Sequence, residues 1–106
     1  MKSVQRYQTP DGKIPFQEWF DDLTEKVKGR ILAYVGRVAR GGSRSNLRSV
    51  GEGVHEIKID TGPGYRVYFG NDGESIILLL LGGSKRTQDR DIKRAQEYWR
   101  NYHAQN

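Results

Sequence analysis

Apolar and polar positions alternate most clearly between Val54 and Phe69. In Val54-His55-Glu56-Ile57-Lys58-Ile59 the period of two sets Glu56 and Lys58 on one face and Ile57 and Ile59 on the other. In Tyr65-Arg66-Val67-Tyr68-Phe69 it pairs Arg66 with Tyr68 and turns Tyr65, Val67 and Phe69 away from them. The pattern predicts two strands, each with one face for a core and one that displays charged groups. Residues 75–81 are apolar at both parities, as expected of a central strand covered on both sides. Asn71-Asp72-Gly73 is the turn signal between the last two strands. Residues 3–9 alternate weakly and predict an edge strand, closed by the turn residues Pro10-Asp11-Gly12.

Helical spacing occupies the rest of the chain. Pro15 suits a first helical turn, where its missing N–H costs nothing, and Phe16, Trp19, Phe20 and Leu23 follow on one stripe. Thr24 is placed to cap a second helix with Val27, Ile31, Tyr34, Val35 and Val38 on its apolar side, stopped by Gly41-Gly42. Residues 41–53 are rich in Gly and Ser and read as a basic loop. Gly82-Gly83 breaks the sheet, and Thr87 caps a last helix bearing Ile92, Ala95, Trp99 and Tyr102 on one side. The order is strand, helical hairpin, three antiparallel strands and a closing helix: an α+β fold in a single domain over residues 1–106.

Composition narrows the function classes. The chain has no cysteine and two widely separated histidines, so disulfides and thiolate zinc sites are excluded, and no metal or cofactor is expected. No stretch has the form of a leader or is apolar for the roughly 20 residues that span a bilayer, which predicts a cytoplasmic protein without a membrane partner. The net charge is +5, and its location matters more than its size. Between residues 26 and 66 there are nine Lys/Arg against three Asp/Glu, whereas residues 1–25 hold three against five. Cations gathered on the second helix, the loop and the strands favour a polyanionic partner, with nucleic acid foremost. A solvated surface serving solubility would have the same composition.

Cleavage of an RNA phosphodiester needs a base for the 2′-hydroxyl, cations for the charge that builds on the phosphate and an acid for the leaving oxygen. Glu56, Lys58 and Arg66, with Tyr68 beside them, supply such groups without a metal. Glu56 is the candidate base, Arg66 can hold a phosphate bidentately, Lys58 adds a point charge, and Tyr68 could stack on a base or donate its hydroxyl. Lys85, just past the last strand, is a further candidate catalytic residue, and Arg44 and Arg48 in the loop, with Arg86 beside Lys85, are candidates for contacts to the same substrate. Ordinary cross-strand ion pairs on a wet sheet face explain the same alternation. His55 falls on the core side and His103 near the C-terminus. Gly82-Gly83-Ser84-Lys85 lacks the spacing of a nucleotide-binding phosphate loop.

Several of these segments together resemble the RelE/ParE superfamily of bacterial toxins, in its HigB-like "addiction module killer protein" group. The resemblance runs through Pro15-Phe16-Gln17-Glu18-Trp19-Phe20, Gly51-Glu52-Gly53-Val54-His55-Glu56-Ile57-Lys58-Ile59-Asp60 and Gly62-Pro63-Gly64-Tyr65-Arg66-Val67-Tyr68-Phe69. It continues through Leu79-Leu80-Leu81-Gly82-Gly83-Ser84-Lys85-Arg86-Thr87-Gln88-Asp89 and Asp91-Ile92 to Ala95. It implies an N-terminal strand and helical hairpin packed on a small curved antiparallel sheet with a C-terminal helix. It also implies a type II toxin that arrests growth through ribosome-dependent cleavage of mRNA. The implied partners are a neutralising helix-turn-helix antitoxin and, through the complex with it, operator DNA. By the same resemblance Arg66 takes the place of the family's strand arginine and Lys85 or Arg86 that of a basic residue after the last strand. Lys58 stands where such toxins carry Lys or Arg. Ser84 departs from the acidic residue that many members have before the lysine. Relatives with this fold inhibit DNA gyrase instead, so inhibition without catalysis and plain nucleic-acid binding are the competing expectations.

Overall fold

The computed structural model describes residues 1–42 and 44–105, and of Arg44 the backbone only. Strand β1 (Ser3–Arg6) leads to helices α1 (Pro15–Asp21) and α2 (Glu25–Ala39). Strands β2 (Leu47–Ser49), β3 (Val54–Ile59), β4 (Tyr65–Asp72) and β5 (Ile76–Ser84) follow, and α3 (Gln88–Gln105) closes the chain. The fold is α+β, around one five-stranded sheet in the order β1-β5-β4-β3-β2. Pairing is antiparallel except between β1 and β5, which run parallel, so the sheet is mixed rather than wholly antiparallel. No described helix is long and apolar enough to cross a membrane.

Local chemistry sets the helix ends. Pro15 opens α1, and Phe16 and Phe20, one turn apart, stack with centroids 5.4 Å apart. The Thr24 hydroxyl accepts the Val27 N–H at the start of α2. At its end Gly41 takes a φ of 85°, which lets the Gly41 and Gly42 N–H groups bond the carbonyls of Val38 and Arg37. The two helices cover one face of the sheet, where Ile31, Val35 and Phe16 pack on Ile57, Ile59, Val67, Phe69, Ile77 and Leu79.

Alternation in the two middle strands predicts that the opposite face displays its charged groups, although the last strand is expected to be covered on both sides. That face is roofed by α3, whose Ala95 and Trp99 pack with Tyr7 on Val54, Tyr68, Leu78, Leu80 and Leu81. Alternation correctly reports which side chains share a face, but it cannot report what lies over them. Glu56 and Arg66 are buried at the edge of this roof, at 2% and 6% exposure, rather than wet.

Four segments differ locally from their sequence reading. The basic loop contains a 3₁₀ turn (Arg44–Asn46) and strand β2, which places Arg48 opposite Glu56. Gly82 and Gly83 do not end the sheet, because β5 runs on through Ser84. A Cβ at Gly82 would sit well inside contact distance of the Trp19 ring, and one at Gly83 of the Asp91 carboxylate, so these glycines provide clearance. The β4–β5 turn falls on residues 73–75, since Asp72 still pairs with Ile76. Thr87 lies inside a 3₁₀ turn (Lys85–Thr87) that leads into α3, and its hydroxyl donates to Asp91 instead of capping.

Candidate functional site

The roof stops short of one end of the sheet. There β2, β3, β4 and the first turn of α3 enclose an open cleft of about 370 Å³, lined by Arg48, Glu56, Lys58, Arg66 and Gln88 with residues 45–47. The pairings Arg48 with Glu56 and Lys58 with Arg66 bring these charges together across three strands.

Glu56 is the hub. Its Oε1 accepts from Arg48 Nε at 2.8 Å and its Oε2 from Gln88 Nε2 at 2.9 Å. Arg66 Nε lies 3.8 Å from Oε2, too far for a hydrogen bond, and is buried with no partner among the described residues. The guanidinium is anchored elsewhere, with Nη1 donating to the Gly64 carbonyl at 2.6 Å. The same carbonyl accepts the Lys85 N–H at 3.0 Å, which ties the end of β5 to Arg66. Arg48 is 60% exposed, so of the two arginines it is the one free to swing.

Burial pushes the Glu56 carboxyl up, but the hydrogen bonds from Arg48 and Gln88 and the charges of Arg48 and Arg66 more than offset this, leaving it below its ordinary value of 4.5. A depressed carboxyl stabilises the fold above its ordinary value and loses that contribution as pH falls through the depressed one. Acid should therefore cost the wild-type chain more than a Glu56→Gln variant. Urea midpoints of the two should converge between about pH 5 and pH 3; a gap independent of pH would overturn this.

The other candidates divide. Lys58 is half-exposed at the cleft, with Nζ 3.8 Å from Asp60, and Asn46 braces the turn by donating to the Lys58 carbonyl and the Asp60 carboxylate. Lys85 and Arg86 are exposed and line a neighbouring depression, which shares Gln88 with the cleft. Tyr68 was expected to reach a base, but its ring is wholly buried beneath α3, so stacking is closed to it. Burial and the Glu56 charge push its phenol well above the ordinary range, and its hydroxyl has no hydrogen-bond partner among the described residues. The Arg44 side chain lies outside the described residues. Of the histidines, His55 stacks on Phe69 on the other face and His103 packs edge-on to Trp99. Sequence reasoning missed Gln88, whose partner is 32 residues away, and Gly64, whose positive φ presents the shared carbonyl.

A model of the family described as "Phage derived protein Gp49-like (DUF891)" matches residues 18–100. An uncharacterized protein of Haemophilus influenzae is 39% identical over 84 residues, which cover 78% of this chain and 84% of that protein. The family match takes in β2 through most of α3, and hence the whole cleft.

Proposed function

The chain belongs to the Gp49-like family of phage-derived proteins, and on that premise we propose that it is the toxin of a type II toxin–antitoxin module, a RelE/ParE-type endoribonuclease of the HigB-like group. Its substrate is mRNA on the ribosome, and a helix-turn-helix antitoxin neutralises it. The observation that carries this reading is the cleft itself: Arg48, Lys58 and Arg66 converge on one end of a sheet, around a carboxylate that is already ionised. An RNA phosphate entering there meets three cations, and the exposed Arg48 is the group it competes for.

In the proposed reaction the 2′-hydroxyl attacks the adjacent phosphorus and gives its proton to a base, and the bond from phosphorus to the 5′-oxygen of the next nucleotide breaks, leaving a 2′,3′-cyclic phosphate while that oxygen takes a proton from water. Arg66 and Lys58 hold the charge that builds on the phosphate oxygens. Glu56 is the base: when Arg48 turns to the phosphate, Oε1 is released to accept the proton. Lys85 and Arg86 border this end of the sheet and hold flanking phosphates of the strand.

The test is induction of the chain in a bacterial host, with the ends of cellular RNA mapped within minutes. Growth arrest with new 5′-hydroxyl ends inside coding sequences is expected. Intact mRNA with loss of DNA supercoiling would replace this reading with gyrase inhibition. Normal growth with salt-sensitive binding to naked RNA or DNA would leave only a nucleic-acid-binding module.

A further inference from the structure

Every strong contact of Glu56 is accounted for except the one that should be strongest. A buried arginine beside a buried carboxylate ordinarily closes into a direct ion pair, because each relieves the other's desolvation. Here Arg66 Nε stays 3.8 Å from Oε2 and makes no hydrogen bond among the described residues. The reason is geometric. Oε1 is held by Arg48 from β2 and Oε2 by Gln88 from the first turn of α3, so both carboxylate oxygens are already engaged by other donors.

We infer that Gln88 is a positioning residue, which keeps Glu56 from quenching the charge that Arg66 presents to an anion in the cleft. Its role in catalysis rests on the nuclease reading given above, but its effect on the Glu56–Arg66 pair does not. Without the Gln88 amide, Oε2 turns to the Nε–H that lacks a partner and the ion pair closes. The cleft then loses part of its positive potential without losing a cation. The arrangement leaves a buried donor unsatisfied, which costs the fold stability, and such departures from satisfied burial mark functional sites. The other ionisable group facing Glu56 is Tyr68, which is neutral and buried and whose hydroxyl, like the Arg66 Nε–H, lacks a partner among the described residues; the charge of Asp91 is felt beyond it. Gln88 also lines the depression of Lys85 and Arg86, so the first turn of α3 joins the two basic surfaces.

The test follows the Arg66 Nε–H resonance in the ¹⁵N-labelled full chain, with inorganic phosphate as the probe. In Gln88→Ala the proton should move downfield and exchange more slowly as the pair closes. The phosphate dissociation constant read at Arg66 should rise about tenfold, the scale of one hydrogen bond to a charged group. Gln88→Met, which keeps the bulk of the side chain and removes its polar atoms, should do the same. In a Glu56→Gln background there is no carboxylate to close the pair, so removing Gln88 should change phosphate affinity less than about twofold. A merely structural role would weaken binding alike in both backgrounds, and that result overturns the inference, as does an Nε–H resonance that ignores Gln88. A wild-type cleft that does not respond to phosphate would count against the nuclease reading, while the ligand-free resonance still decides for or against Gln88.

Discussion

Arg66→Ala should abolish growth arrest on induction while leaving a folded protein. Truncation of a buried arginine is usually ruinous because it strands its partners, yet here the partners are held twice. Glu56 keeps its bonds from Arg48 and Gln88, at 2.8 and 2.9 Å, and the Gly64 carbonyl keeps the Lys85 N–H at 3.0 Å. The lost packing of the side-chain stem falls within a stability of about 5–15 kcal/mol for a domain of this size. What disappears is the one buried cation of the cleft among the described residues. Removing a preorganised donor to a charged transition state lowers rates roughly 10²–10³-fold, enough to turn a lethal induction into a tolerated one. Arg66→Lys keeps the charge without the planar fork and should fall between the two. Growth curves, cleavage rates on programmed ribosomes and urea unfolding together read the outcome. A folded alanine variant that is as toxic as the wild type would remove Arg66 from the site.

The parts of this site that were legible in the sequence are those encoded over a few residues. A period of two is enough to put Glu56, Lys58 and Arg66 on one face, and a hydroxyl before an apolar stripe is enough to start α2 at Thr24. What was not legible depends on what a distant element brings. Three residues with a single leucine carry too little pattern to announce β2, though its pairing with β3 is what delivers Arg48 to Glu56. The roof over Tyr68 comes from Trp99, some thirty residues on, and converts a candidate stacking ring into core. Gln88 is an ordinary helical residue until α3 is docked. Glycine is ambiguous for the same reason: a strand breaker and a residue kept small to admit an indole read identically, and only the position of Trp19 separates them at Gly82.

That distinction makes Gly82→Ala the substitution with the largest expected cost in stability. Gly82 lies in β5 without a left-handed backbone, so alanine has no intrinsic difficulty there. The penalty is steric: the added methyl would overlap the Trp19 ring, which is partly buried and flanked by Phe16 at 5.7 Å and Tyr65 at 6.2 Å, so it can yield only by giving up that packing. Overpacking of this kind costs about 1–3 kcal/mol, or a fall in Tm on the order of 4–8 °C per kcal/mol for a chain of this length. If the clash is the cause, shaving the ring in a Trp19→Ala background should leave Gly82→Ala nearly neutral, giving a coupling of about 1–2 kcal/mol in a double-mutant cycle. Additive losses would reject the steric account. The cost should also reach the cleft, because the residues after Gly82 lead directly to the Lys85 N–H that shares the Gly64 carbonyl with Arg66. A strand end pushed off by an indole misplaces that carbonyl, so Gly82→Ala should lose activity at temperatures where most of the protein is still folded, and Trp19→Ala should restore it.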